Sequence, residues 1–264
     1  MPSSTAAFFD LDKTIIARSS TLAFSRPFQA GGLITRRAML RSAYAQFVYL
    51  VGGADHDQME RMRLFMSKLV AGWDVATVRE IVADTLHNVV DPIVYDEAVE
   101  LIEEHHAAGR DVVVVSASGL EVVGPIAEML GADRVVATRL EIVDGKYSGD
   151  IEYYAYAEEK ARAIESLAHE CGYDLAESYG YSDSVTDVPM LQVVGRPFAV
   201  NPDKELRRIA TERGWPVLTF SRPVALRSRV GLPGKPALAA LAVGGVVAVG
   251  GYVWASAKRR HGPA

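Results

Sequence analysis

The sequence predicts an α/β fold in which a Rossmann-like parallel sheet is interrupted, after its first strand, by a helical insertion. Short apolar runs that end at polar residues alternate with amphipathic segments, and this alternation is typical of parallel strands joined by helices. Residues 17–95 break the alternation, because their apolar residues recur mainly at helical spacing. They are therefore predicted to form a helical cap on a core made of residues 1–16 and 96–221. With 264 residues, 49% of them apolar, the chain is long enough for both domains.

The first half of the chain supplies two core strands and the insertion between them. Residues 6–10, AAFFD, are an apolar run that stops at an acid, as expected of a buried strand. Pro92 marks a boundary, and Gly109 ends the helix that follows it. His105 and His106, near the end of that helix, are predicted to cap it in solvent rather than to bind a metal. The predicted elements are a strand at 6–10, helices at 33–51, 57–71, 75–86 and 93–108, and a strand in RDVVVVSASG, residues 110–119.

The second half continues the alternation and adds a hairpin. Residues 135–154 contain two strand-like runs around a DGKYSG turn region, which predicts the hairpin. Gly214 follows the last helical segment, in the position of a C-terminal cap. The remaining predicted elements are helices at 122–130, 158–171, 189–193 and 205–213, and strands at 178–181, 198–200 and 215–220.

Charge is divided unevenly along the chain. Seven of the 28 Lys and Arg residues, and none of the 33 Asp and Glu residues, follow position 221. The body therefore has 21 basic against 33 acidic residues, a net charge of −12, and the tail carries +7. An acidic body is a poor general binder of nucleic acid, so no nucleic-acid partner is expected. The single cysteine, Cys171, excludes a disulfide framework and a thiolate metal cluster.

Three predicted core strands end in acids or hydroxyls. Asp10 and Asp12 follow the first strand, Ser116 ends the second, and Asp183 and Asp187 follow the third. Because ligands of open α/β sheets bind outside the carboxyl ends of the strands, these side chains should converge there. Carboxylates and hydroxyls without a His–Cys set favour a hard cation such as Mg²⁺. One carboxylate can then attack phosphorus while another protonates the leaving oxygen, so the pattern predicts phosphoryl transfer.

Four motifs, in this order, resemble those of the haloacid dehalogenase (HAD) superfamily. DLDKT at 10–14 is similar to the first motif, and VVVVS, ending at Ser116, is similar to the second. Lys160 in YAEEKARAI resembles the third motif, and YSDSVTD at 181–187 resembles the fourth. The phrases FFDLDKT, VVSASG and SDSVTDVPML resemble hydrolases of subfamily IB, which includes phosphoserine phosphatase. The helical insertion resembles the C1-type cap of that subfamily.

The resemblance implies roles for the acidic motif residues. Asp10 would be the nucleophile that becomes an aspartyl-phosphate, and Asp12 would be the general acid and base. Mg²⁺ would be held by Asp10, by the backbone carbonyl of Asp12 and by Asp183. Asp187 would hold the water shell of the metal. The Asp at position 12 resembles the residue that phosphatases and phosphomutases of the family carry there. The resemblance implies no organic cofactor.

The resemblance also implies roles for residues that contact the phosphoryl group or the rest of the substrate. Ser116 would hydrogen-bond the phosphoryl group, and Lys160 would offset the charge between that group and the nucleophile. Thr14, Ser118 and Arg18 are further candidates for substrate binding. All of these residues are expected at the same edge of the sheet.

The substrate is left open by the sequence. Phosphoserine phosphatases typically carry a Glu shortly after the nucleophile, whereas residues 17–20 of this chain read ARSS, which puts phosphoserine in doubt. Residues 17–53 contain five Arg and no acid, so an anionic substrate is expected. A small-molecule phosphomonoester and a lipid phosphate are both candidates. The alternatives are a phosphoserine phosphatase, a phosphomutase, and a non-catalytic binding module tethered to the membrane.

The C-terminal region predicts a membrane anchor. Residues 237–257 carry no charge, and as a helix they would span about 31 Å, close to the ~30 Å hydrocarbon core of a bilayer. Tyr252 and Trp254 lie near one end, as at a membrane interface. A basic linker at 222–236 and a basic tail at 258–264 flank this transmembrane helix. The start of the chain lacks the basic region of a signal peptide, so the catalytic body is expected in the cytoplasm, anchored to the membrane.

Overall fold

The computed structural model describes residues 4–34 and 67–223. The predicted helices at 33–51 and 57–71 lie largely outside the described residues, and the predicted transmembrane helix at 237–257 lies wholly outside them. None of the helices in the two described ranges combines the length and the hydropathy needed to span a bilayer.

Strands and helices alternate along the described chain, as the sequence predicts. The strands are β1 (Ala6–Phe9), β2 (Asp111–Gly119), β3 (Arg134–Val143), β4 (Lys146–Tyr153), β5 (Tyr179–Ser182), β6 (Arg196–Val200) and β7 (Val217–Leu218). The helices are α1 (Ser20–Ala23), α2 (Ser25–Ala30), α3 (Val75–Val89), α4 (Asp96–Ala107), α5 (Leu120–Met129), α6 (Glu158–Cys171), α7 (Val188–Gln192) and α8 (Lys204–Arg213). Short 3₁₀ turns lie at Asp91–Ile93, Leu175–Glu177 and Val185–Asp187.

The strands form one sheet in the order β4–β3–β2–β1–β5–β6–β7. Neighbouring strands are parallel except β3 and β4, which form the antiparallel hairpin. All four residues of β1 are fully buried, so both faces of this central strand are covered. Because β1 pairs with β2 on one side and β5 on the other, their carboxyl ends are neighbours. The prediction of a parallel α/β sheet is confirmed.

Two chain segments connect the sheet to the helices inserted between β1 and β2. The Ala17 N–H donates to the Ile93 carbonyl at 2.7 Å, and the Tyr95 N–H donates to the Ile15 carbonyl at 2.9 Å. The segments that lead into and out of the insertion therefore run side by side. Tyr95 also forms a backbone bridge with Pro223, so the chain beyond β7 lies against one of these connections.

His105 is placed differently from the prediction. It is 2% exposed, its Nε2 atom lies 2.9 Å from the Tyr181 hydroxyl, and Arg110 Nε donates to its Nδ1 atom at 2.8 Å. Burial, aided by the charge of Arg110, lowers the pKa of His105 to about 4. The expectation of a solvated cap is wrong for this residue, because its face of α4 packs against the sheet. His106 is exposed and lies 2.9 Å from an oxygen of Asp133.

Candidate active site

The carboxyl ends of the central strands open onto a pocket of about 470 Å³. The sequence-predicted residues that line this pocket are Asp10, Asp12, Arg18, Ser116, Lys160, Asp183 and Asp187. They come from β2, from α6 and from the loops that follow β1 and β5. We call this cavity the phosphate pocket, after the group that the sequence motifs are expected to bind.

Lys160 joins two carboxylates at the base of the phosphate pocket. Its Nζ atom lies 2.7 Å from Asp10 Oδ1 and 2.8 Å from Asp187 Oδ2, and the residue is 2% exposed. Burial works to lower the pKa of Lys160, but the two carboxylates outweigh it and hold the pKa above its ordinary value. Burial and the neighbouring carboxylates raise the pKa of Asp10, and Lys160 opposes them. The ammonium group therefore supplies the positive charge that makes this crowding of acids tolerable.

The Asp12 side chain has a different set of partners. Its carboxylate accepts hydrogen bonds from the Ser20 N–H at 2.6 Å, from the Ser20 hydroxyl at 3.2 Å and from the Ser118 hydroxyl at 2.8 Å. Lys13, the next residue, has φ = 67°, a left-handed conformation that turns the chain sharply after β1. Asp10 and Asp12 are thus held in two environments, one against Lys160 and one against hydroxyls.

Asp183 and Asp187 lie in the turn after β5. Asp187 is 2% exposed, and its Oδ2 atom also accepts from the Ser182 hydroxyl at 2.7 Å. Its Oδ1 atom is buried without a hydrogen-bond partner. Burial, with a contribution from Asp187, raises the pKa of Asp183 to about 7, against the opposing charge of Lys13. A buried oxygen without a partner, beside a second carboxylate, is suited to a hard cation or to its bound water.

The predicted metal site uses few ligand side chains. Within residues 4–34 and 67–223, no three or more His, Cys, Asp or Glu residues are grouped so that they could hold a metal ion. The family resemblance requires only two carboxylate ligands, Asp10 and Asp183, with a backbone carbonyl from Asp12. The expected ligand set is therefore compatible with this finding.

The remaining candidate residues differ in their position relative to the pocket. Ser116 is 1% exposed, and its hydroxyl accepts from the Ser118 N–H at 3.2 Å. Arg18 is exposed where it lines the pocket. Thr14 does not line the pocket: it is fully buried in the turn after β1, and its hydroxyl has no partner. The structure therefore places Ser116 and Arg18 in the lining of the pocket and Ser118 against Asp12, and it leaves Thr14 buried outside the pocket.

Sequence reasoning missed two hydroxyls that hold the acids. Ser20 begins α1 and donates twice to Asp12, and Ser182 ends β5 and donates to Asp187. Ser182 belongs to the motif at 181–187, which also contains two acids, so the sequence contained a signal that this hydroxyl lies near them. Ser20 stands in the ARSS segment, where nothing in the local pattern distinguishes it from Ser19.

Comparison with known proteins identifies the family. Residues 7–192 match the family model of the haloacid dehalogenase-like hydrolases. The chain therefore belongs to that family, and the resemblance drawn from the four motifs is confirmed.

Relatives that match nearly the whole chain include proteins named as phosphatases. The chain is 63% identical over 261 residues to the inhibition of morphological differentiation protein of Streptomyces azureus, covering 97% of this chain and 94% of that one. It is 58% identical over 257 residues to a probable phosphatase of Mycobacterium tuberculosis, covering 97% and 90% of the two chains. It is 34% identical over 258 residues to a phosphoserine phosphatase of the same organism, covering 97% and 81%. The family and these relatives define an enzyme, a HAD-type phosphatase.

A solved structure has the same fold. A protein of unknown function from Bordetella pertussis matches with a TM-score of 0.73 and 32% identity, covering 82% of this chain and 98% of that one. The match extends over most of the region that the structure describes.

Proposed function

We propose that this chain is a Mg²⁺-dependent phosphomonoester hydrolase that works through an aspartyl-phosphate on Asp10. The observation that carries the proposal is the buried bridge from Lys160 to Asp10 and Asp187 at the carboxyl ends of the strands. Such a bridge keeps a carboxylate at the floor of a pocket next to a fixed positive charge, as attack on an anionic phosphoryl group requires.

The donor atoms in the phosphate pocket fit Mg²⁺. Asp10 and Asp183 would bind it through their side chains and Asp12 through its backbone carbonyl, while Asp187 would hold its water. The unpartnered Oδ1 atom of Asp187 supports this assignment. When bound, the cation supplies positive charge that neutralises the phosphoryl oxygens.

The proposed reaction uses the two aspartates in turn. A carboxylate oxygen of Asp10 attacks phosphorus, the bond from phosphorus to the leaving oxygen breaks, and Asp12 gives that oxygen a proton. Asp12 then takes a proton from water as the water oxygen attacks the phosphorus of the aspartyl-phosphate. Inorganic phosphate leaves and the Asp10 carboxylate is restored. Ser116 donates to the phosphoryl oxygens and Lys160 balances their charge.

Replacing the nucleophile tests this proposal. Asp10→Asn is nearly isosteric and should remove phosphate release from a panel of phosphomonoesters with Mg²⁺, together with the phosphorylated peptide that contains residues 10–14. Asp150→Asn, on the exposed side of β4, is the matched control and should behave like the wild type. Wild-type turnover by Asp10→Asn would overturn the mechanism.

A phosphoserine phosphatase is the second candidate. The observation that favours it is the relative of that name at 34% identity. Against it, the segment from Ala17 to Ser19 that lines the phosphate pocket contains an Arg and no acid, so the amino group of phosphoserine lacks a carboxylate partner there. Comparing kcat/KM for phosphoserine with that for alkyl and lipid phosphates decides between the two. Preference for phosphoserine over the others would establish the second candidate.

We also propose that residues 237–257 anchor the enzyme to a membrane with its catalytic body in the cytoplasm. The support is the uncharged sequence with basic flanks. The full chain and a chain ending at residue 225 should separate into membrane and soluble fractions, respectively. Recovery of both in the soluble fraction would contradict the anchor.

A further inference from the structure

A second cavity, of about 270 Å³, lies next to the phosphate pocket. Ala117 lines both cavities, and Ser118 lines the second. The two cavities therefore both border β2 near its carboxyl end. We call the second cavity the apolar chamber, because of the side chains that surround it.

The walls of the apolar chamber come from the insertion on one side and from α5 and the hairpin on the other. The apolar side chains that line it include Phe28, Trp73, Val78, Val122, Leu140 and Ile151. Backbone hydrogen bonds join its two sides: the Gly72 N–H donates to the Tyr147 carbonyl at 2.8 Å, and the Tyr147 N–H donates to the Trp73 carbonyl at 3.1 Å. The chamber thus lies between the insertion and the hairpin.

One carboxylate lies in this apolar lining. The Glu121 side chain is 9% exposed, and it interacts with the Tyr147 hydroxyl and, at 3.4 Å, with Arg79. Arg79 offsets part of the Glu121 charge, but none of the described side chains that line the chamber is a Lys, Arg or His, so a carboxylate arriving on a ligand would be desolvated there without a counter-charge. The chamber therefore suits a ligand group that is apolar and carries no negative charge.

The position of Asp12 connects the chamber to the reaction. The Asp12 carboxylate accepts a hydrogen bond from Ser118, which lines the chamber. The leaving oxygen must lie within hydrogen-bond reach of the acid that protonates it. An alcohol whose oxygen lies at Asp12 is therefore held next to Ser118, the residue through which Asp12 contacts the chamber.

We propose that the apolar chamber holds the leaving group of the substrate, so that the preferred substrates are phosphomonoesters of compact, apolar alcohols without a carboxylate. This inference rests on the proposed hydrolase function. The volume lies just below the ~300–1,000 Å³ usual for small-molecule sites, which matches one ring or a short branched chain. Each methylene buried there should raise kcat/KM up to about fourfold.

The first measurement compares two phosphomonoesters on the full chain with Mg²⁺. 2-Phenylethyl phosphate and ethyl phosphate share the reacting group and differ in the body of the alcohol. The proposal expects kcat/KM for 2-phenylethyl phosphate to exceed that for ethyl phosphate by at least about tenfold. Equal values would overturn the proposal while leaving the hydrolase function in place.

A variant that fills the chamber locates the preference. Val122→Phe adds a ring to a half-buried side chain of α5 that lines the chamber, and should lower the ratio of the two kcat/KM values at least about fivefold. Val143→Phe makes the same change at a residue that is 53% exposed and does not line the chamber, so the ratio should stay at its wild-type value. An unchanged ratio in Val122→Phe would contradict the proposal.

A binding measurement separates failure of this inference from failure of the hydrolase function. Trp73 lines the chamber, so titration with the non-hydrolysable 2-phenylethylphosphonate should change tryptophan fluorescence in a saturable way. Trp73→Phe should remove that change, and Val122→Phe should weaken the binding. If no ester of the phosphomonoester panel, these two included, is hydrolysed, the hydrolase function fails, and this titration still supports or overturns the chamber. No saturable change in the wild type would overturn it.

Discussion

Ala117 lines both the phosphate pocket and the apolar chamber, but the other residues that line these two cavities differ in polarity. The phosphate pocket gathers buried charges at strand ends, where Lys160 is bonded to both Asp10 and Asp187. The chamber is lined mostly by apolar side chains from the insertion and the hairpin. Chemistry and substrate choice would thus reside on separate elements, and a change in the chamber can alter the substrate without disturbing the reacting groups.

The two regions also differ in how strongly they should respond to substitution. Removing one member of a buried charge cluster leaves the other members without a counter-charge, which costs several kcal/mol. Changing an apolar side chain in the chamber alters the free energy of burying the substrate, which is about 25 cal/mol per Å² of apolar surface. We therefore expect large effects in the phosphate pocket, intermediate effects at Ser118, which contacts Asp12 and lines the chamber, and small effects in the chamber itself.

Removal of the metal should have the largest effect. Chelation with EDTA is expected to bring hydrolysis below detection and Mg²⁺ to restore it, because in the proposed mechanism the cation neutralises the phosphoryl oxygens. Mg²⁺ at about 100 times its Kd should stabilise the fold by about 2.7 kcal/mol, measured as a rise in Tm. Asp183→Asn should lose this rise and the exposed Asp150→Asn should keep it. A full rise in Asp183→Asn would remove Asp183 from the ligand set.

Lys160→Met should have the next largest effect. Loss of the ammonium group leaves Asp10 and Asp187 close together without their shared partner. The free energy of unfolding in metal-free buffer should fall by about 3–5 kcal/mol, and kcat with Mg²⁺ should fall ~10²–10³-fold. Urea denaturation and steady-state kinetics measure the two effects, with Lys204→Met at an exposed site as the control. Unchanged stability would mean that Lys160 is not needed to hold the two acids together.

Ser118→Ala tests the contact between Asp12 and the chamber. Its hydroxyl donates to Asp12, and a hydrogen bond to a charged group contributes about 1.5–3 kcal/mol, so kcat on alkyl phosphates should fall roughly tenfold or more. If Ser118 positions the general acid, p-nitrophenyl phosphate should be affected less, because its leaving group needs little protonation. Ser166→Ala, exposed on α6, is the control. Equal losses on both substrates would argue against a role through Asp12.

Glu121→Gln should have the smallest effect. It removes the negative charge of the chamber while keeping the shape of the side chain. The ratio of kcat/KM for phosphoserine to that for 2-phenylethyl phosphate should rise about fivefold, as expected when a repulsion of about 1 kcal/mol between carboxylates is removed. Glu128→Gln, exposed on the same helix, should leave the ratio unchanged. A constant ratio in Glu121→Gln would mean that this carboxylate does not face the leaving group.

Much of the core and of the candidate site could be predicted because both follow local patterns. The apolar run before Asp10 and the run that ends at Ser116 are buried strands, as predicted, and the helix predicted at 158–171 is α6. In a parallel sheet the carboxyl ends of such strands lie at one edge, so acids that are distant in sequence meet without any further information. Lys160 was found by its resemblance to a motif, since one lysine on a helix carries no local signal.

What the sequence by itself determined is therefore the parallel sheet, the convergence of its acidic ends and the family. Only the tertiary structure decided that His105 is buried, that Ser20 holds Asp12, and that the insertion closes on the hairpin between Trp73 and Tyr147. The physical reason is the sequence separation over which the interactions act. Strand and helix periodicity depend on neighbours a few residues apart, whereas these contacts depend on how whole elements pack, and the same local sequence allows many such packings.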